Sequence, residues 1–258
     1  MKIKNIITLS LALLIAPAGF AQNARFTTQG VIEYEKKVNM YALLADQLKK
    51  NPDDSFGPKI VEDYKKNNPQ FKLLKSTLTF GRDQTLFAPV AEQVMQNSWY
   101  NMPLAQQNNL IYTQTAAGTS VTQKKIFEET YLVKDSTRKI NWKITSEIRN
   151  IAGYDCRRAN ALIMDSVYVV AFYTEEIPVS GGPESFSGLP GMILGVALPY
   201  EHVTWFATSV IDQPVGDDKL KAPIKGKITD QKKLMGTLKE ALKEWGKSAQ
   251  DFLKAFLI

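Results

Sequence analysis

The sequence predicts an α+β fold: a mostly antiparallel, curved β-sheet meander, half-barrel-like, with short N-proximal helices and a C-terminal amphipathic helix. Three observations predict it. Strand-length segments follow one another across residues 109–148, parted only by short turn signals such as Ala117-Gly118 and Lys134-Asp135-Ser136, which is hairpin spacing. Two later segments, 166–174 and 202–211, are apolar on both parities, the pattern of strands buried on two faces or lining an apolar cavity. Residues 231–258 carry an apolar stripe at helical spacing.

The elements follow in order. Residues 1–21 read as a signal peptide: Lys2 and Lys4 are its positive start, 6–15 its apolar stretch, and Gly19 and Ala21 the small residues at its cleavage end. The stretch is shorter than the ~20 residues of a membrane-spanning helix. Cleavage after Ala21 leaves 22–258, expected to be a single domain with 220–258 as its C-terminal amphipathic region. No cysteine follows the stretch in a lipoprotein position, so the expected location is periplasmic or secreted, with no transmembrane helix after cleavage.

Residues 28–40 are strand-like, and 41–50 and 59–67 read as short helices around a turn-forming stretch. Leu74, Leu78 and Phe80 alternate with Lys75, Thr77 and Thr79, a half-buried strand. Residues 88–107 read as a loop with some helix. Strands are expected at 109–115, 120–127, 130–134 and 141–148. In the last, Trp142, Ile144 and Ile148 take one face and Lys143, Thr145 and Glu147 the other. Residues 231–258 read as one helix, with Leu234, Leu238, Leu242, Trp245, Ala249, Phe252 and Phe256 on its stripe and Gly236 and Gly246 off it.

Composition removes several classes of function. One cysteine, Cys156, allows no internal disulfide framework or cysteine metal cluster, and one histidine, His202, allows no histidine-rich zinc centre. The net charge of +6 falls to +4 without Lys2 and Lys4, and residues 216–258 hold all of it, with ten lysines against six acids. A basic tail on a neutral body, without arginine clusters, does not suit a nucleic-acid partner.

Residues 174–196 hold two strong turn signals, Ser180-Gly181-Gly182-Pro183 and Gly188-Leu189-Pro190-Gly191. In the second, Pro190 and Gly191 suit a type II turn in which Gly191 takes the positive φ. The spacing matches neither a P-loop nor a dinucleotide fingerprint, so no cofactor is expected.

At these residues the chain resembles a known family. Gly188-Leu189-Pro190-Gly191-Met192-Ile193 is similar to the signature hexapeptide of the GLPGLI family, exported Bacteroidota proteins of unknown function, with methionine for the second leucine. The likeness extends to Asn141-Trp142-Lys143-Ile144, to the stretch from Ile151 to Ala159 that contains Gly153, Tyr154 and Cys156, and to the run from Ala171 to Val179 with Gly182-Pro183. The resemblance implies a signal peptide, a largely antiparallel β architecture and association with outer-membrane systems of the TonB-dependent type. It implies no activity.

Catalysis finds little support. Glu175 and Glu176 are consecutive, and on a strand they would face opposite ways, so they do not form a paired-carboxylate site. No G-x-S-x-G elbow is present. No catalytic or metal-binding residue is assigned. The expected function is a non-catalytic binding or accessory protein of the periplasm. Its contact loop would comprise Glu175, Ser180, Gly181, Gly182, Pro183, Gly188, Leu189, Pro190, Gly191 and Met192. The partner would be an outer-membrane transporter, another envelope protein or an apolar ligand. Two alternatives stand beside it: a hydrolase using His202 with a carboxylate, and an envelope interaction module acting through the C-terminal helix.

Overall fold

Residues 26–90, 102–106, 109–246 and 248–258 are described by a computed structural model; the signal-peptide segment and much of the 88–107 loop lie outside them. Their strands are β1 (Gly30–Asn39), β2 (Phe71–Phe80), β3 (Gln84–Pro89), β4 (Asn109–Gln114), β5 (Thr119–Ile126), β6 (Glu129–Ser136), β7 (Lys143–Ile151), β8 (Tyr154–Ile163), β9 (Val167–Thr174), β10 (Met192–Leu198), β11 (Val203–Asp212) and β12 (Lys227–Thr229). Their α-helices are α1 (Met40–Lys50), α2 (Gly57–Asn67), α3 (Gln231–Ala241) and α4 (Ser248–Leu257). All twelve strands join one sheet in the order β12-β6-β5-β4-β3-β2-β1-β11-β10-β9-β8-β7. Neighbours are antiparallel except β12, which lies parallel to β6.

That order forces curvature. β6 and β7 follow each other in sequence, yet stand ten places apart in the sheet. In a flat sheet at ~4.8 Å per strand they would be roughly 48 Å apart. Only residues 137–142 join them, and the chain steps from Ser136 to Lys143 reach ~24 Å at full stretch. The sheet therefore curls until its two ends approach. It does not close: β7 and β12 stay at the two ends of the strand order.

The apolar pattern sets what lies on each side. β9 is buried on both parities: Val167, Val169, Ala171 and Tyr173 pack with α1, α2 and Trp205, while Val170 and Phe172 pack in a second cluster with Cys156 and Leu194. β11 does not share this. Val203, Trp205 and Ala207 are buried, but Thr208 is exposed and Ile211 is 43% exposed. Asn39 starts α1 by accepting a hydrogen bond from the Ala42 N–H through its side chain at 3.2 Å, an N-cap. Met40, Leu43 and Leu44 of α1 then meet Val61 and Tyr64 of α2 on the main core.

Two expectations need correction. Ile144 and Ile148 do not face a core; they are 45% and 62% exposed. β7 is an edge strand whose pairing with β8 slips between these residues, so the alternation does not carry through. The C-terminal helix is not continuous. α3 ends at Ala241, a 3-10 turn covers Lys243–Trp245, and Gly246 takes φ +55° before α4 begins. With ψ −131° this is a positive-φ conformation that glycine adopts readily and other residues do not. Leu234, Leu238 and Leu242 are buried as the stripe requires, whereas Trp245 is half exposed and packs on Phe252 at 4.8 Å. α4 then turns Leu257 and Ile258 into the interior.

Candidate functional site

The connection from β9 to β10 is held by its own hydrogen bonds. The Gly188 N–H donates to Ser180 Oγ at 3.1 Å, closing residues 180–188 into a loop. The Met192 N–H donates to the Ile177 carbonyl and the Ile193 N–H to the Gly181 carbonyl. Trp142 donates its indole N–H to the Ser187 carbonyl at 2.9 Å, tying the loop to the β6–β7 link.

The glycines of this loop work differently from the turn expected for them. Gly188 has φ +92°, and Gly191 has no positive φ. The type II assignment at Gly191 is therefore wrong. Gly191 is required by close approach: a Cβ there would lie 2.1 Å from the Thr174 carbonyl oxygen.

The predicted loop residues part company in space. Leu189 and Met192 are core residues, 2% and 0% exposed. Pro183 is buried, Pro190 is exposed, and Glu175 is exposed at the loop's start, where Tyr173 donates its hydroxyl to it at 3.5 Å. Ser180 and Gly188 line one hollow of about 310 Å³. Gly181 and Gly182 line a smaller one of about 30 Å³. A third hollow of about 440 Å³ reaches from β5 and β6 across to Leu162 and Ile163 of β8. Strands from opposite ends of the order thus share its walls, which places it at the seam where the sheet's ends meet. Thr137 and Arg138 line all three hollows, so they form one cleft.

Basic residues sit at the floor of this cleft, where the end of α4 comes in. Lys124 donates its ammonium to the Phe256 carbonyl, Arg138 donates to the Leu257 carbonyl, and the Ser185 hydroxyl donates to a main-chain oxygen of Ile258 at 2.8 Å. These three donors satisfy backbone oxygens that a helix end leaves without partners. Burial pushes the Lys124 ammonium down to about 8, against the opposing field of Glu184. Burial also lowers the Arg138 pKa. Glu184 is 6% exposed, has φ +50°, and accepts a hydrogen bond from Asn109 Nδ2 at 2.7 Å. A buried non-glycine residue in the left-handed region carries backbone strain.

Lys124, Arg138, Glu184 and Ser185 were missed from the sequence. Their one visible signal is a lysine at Lys124, on the inward parity of β5 with Ile126.

Two other places bear on the expectations. His202 has φ +56° after the turn Pro199–Glu201, and its Nε2 lies 2.9 Å from Asp46 Oδ2 of α1. This hydrogen bond holds the Asp46 carboxyl below the usual range. An apolar groove of about 330 Å³ runs between α1, α2 and α4, lined by Leu44, Leu48, Val61 and Phe252. Cys156 is buried, and burial pushes its thiol up to about 12, so it is not a thiolate at neutral pH. Among the described residues no helix is long and apolar enough to cross a membrane.

A family model described as a protein of unknown function (Porph_ging) matches residues 162–195. The matched stretch begins in β8 and takes in the whole stitched loop. It fits a domain of unknown function found in Bacteroidota. The chain is similar to two solved structures of PNGF-II, at 18% and 16% identity over 84% and 88% of its length, each with a TM-score of 0.48. It covers 33% and 32% of those chains, about a third of their length. No curated protein matches the chain.

Proposed function

We propose that this chain is an exported, non-catalytic binding or accessory protein of the bacterial envelope, which holds its ligand in the seam cleft. The observation that carries this reading is the meeting of three hollows at Arg138 beside the 180–188 loop. A half-barrel-like sheet suits this role, because curling leaves an accessible cleft where the ends fail to join. The pattern of residues 1–21 supports export to the periplasm from a mature single domain, 22–258. The hexapeptide 188–193 supports membership of the GLPGLI family, and with it a partner among outer-membrane systems of the TonB-dependent type.

The test is native mass spectrometry of the protein purified gently from its own periplasm. A retained small-molecule mass, or a co-purifying outer-membrane subunit, is the expected result. A bare chain overturns the reading. A second reading, a hydrolase using His202 with a carboxylate, has the 2.9 Å contact with Asp46 in its favour. Under that reading His202→Ala abolishes an activity while the melting temperature stays near that of the native chain.

A further inference from the structure

The walls of the seam cleft are more specific than its volume. Thr85 of β3 is paired with Thr113 of β4, Thr113 with Ser120 of β5, and Ser120 with Asp135 of β6. Directly paired residues share a face, so three hydroxyls and a carboxylate form one row across four strands, about 4.8 Å apart. All four line the cleft. Among the described residues, the hydroxyls of Thr113 and Ser120 have no hydrogen-bond partner. Each hydroxyl can both donate and accept, which suits the hydroxyls of a ligand better than an apolar chain.

Arg138 lines the same hollows as the row. A guanidinium carries five N–H donors in a planar fork, and the described structure gives this one a single acceptor, the Leu257 carbonyl. Lys139 lines the same cleft. The two side-chain acids that reach it take their hydrogen bonds elsewhere: Asp135 accepts from the Ser136 and Gln231 N–H groups at 2.7 and 3.0 Å, and Glu184 from Asn109, so neither is bonded to Arg138. The cleft therefore keeps a fork-shaped cation for a planar anion, and a fork matches a carboxylate with two parallel bonds.

We infer that the ligand is a hydroxyl-rich molecule bearing a carboxylate, of the sugar-acid class, with its carboxylate on Arg138 and its hydroxyls on Thr113 and Ser120, Thr85 being buried at the inner end of the row. This rests on the reading of the cleft as the binding site. The test is calorimetric titration of the full chain with sodium glucuronate, glucose and sodium acetate. Glucuronate binds, while glucose and acetate each bind about tenfold more weakly or worse, since each lacks one half of the contacts.

Two variants locate the site. Arg138→Lys keeps the charge and loses the fork, and it weakens glucuronate binding roughly 10- to 100-fold. Thr113→Val with Ser120→Ala removes two hydroxyls without altering the Arg138 contact to α4, so it keeps the melting temperature and weakens glucuronate but not acetate. Acetate binding as tightly as glucuronate reduces the site to an anion site and overturns the inference. Glucose binding as tightly removes the role of Arg138 and overturns it as well. If all three fail while the periplasmic protein retains a mass by native mass spectrometry, the ligand class is wrong and the binding reading stands. If no mass is retained either, both fall.

Discussion

Gly188 and Gly191 lie three residues apart and are glycine for different reasons. Gly191→Ala drives a Cβ against the Thr174 carbonyl, where the gap is 2.1 Å. Overpacking of this kind costs about 1–3 kcal/mol or more. Gly188→Ala meets only Trp142, at 3.7 Å, and pays for its positive φ alone, about 1 kcal/mol. Urea denaturation of the two variants should rank them in that order, and an equal loss would contradict the close-approach account. That some glycine was needed here was legible in the turn signals. Its reason was not, because the opposing carbonyl belongs to the end of β9. The same limit hid Lys124 and Glu184, whose meaning depends on three other elements converging on them. Lys124 makes a further prediction. Its folded pKa of about 8 lies below the 10.5 usual for a lysine, so between those values the unfolded chain binds more protons. Its contribution to stability is least favourable below about pH 8 and improves as the pH rises toward 10.5. The stability of the native chain minus that of Lys124→Met should grow across this window. A flat or falling difference sinks the assignment.

At the scale of elements, the C-terminal stripe was legible and its interruption was not. The stripe continues through Trp245 in phase, and only the backbone of Gly246 shows that the helix stops. Two substitutions separate the broken helix from a continuous one. Gly236 lies inside α3 with nothing within 4 Å of its absent Cβ, so Gly236→Ala should stabilise by about 1 kcal/mol. Gly246 has φ +55°, and Gly246→Ala should destabilise by about 1 kcal/mol. A continuous helix makes both changes stabilising, so the sign of the second, read from thermal melts, decides between them. Strands with clear alternation, β1, β2 and β4 to β6, were readable with their turns. β8 was not, because its buried face is made of Cys156, Ala159, Ala161 and Ile163. Three of these are small, and the parity changes after the first. β3 is short and ends in Pro89, which reads as loop.

At the scale of the molecule, curvature follows from the six-residue link between β6 and β7, and the cleft follows from curvature. A curved meander was foreseen from strand spacing. That β1 would sit mid-sheet between two hairpin series was not, since nothing local tells a strand at one end of a chain to pair with one at the other. Lengthening the link gives a prediction at this scale. Inserting a flexible Gly-Ser segment after Arg138 relaxes the constraint that holds the two ends of the sheet together. The cleft should then lose affinity for its ligand while circular dichroism keeps the native strand signal. Unchanged affinity would show that the seam is held by α4 and the loop alone.

The central pairing also sets an order of events in folding. Gly30 of β1 faces Asp212 of β11, so that junction must wait for nearly the whole chain, whereas every hairpin on either side can form from neighbours. Loop-closure entropy makes such a contact slow. Until β11 arrives, β1 presents an open edge to any passing β11, including one from another molecule. Refolding at high protein concentration should therefore give dimers that exchange the β7–β11 half, and dilution before refolding should suppress them.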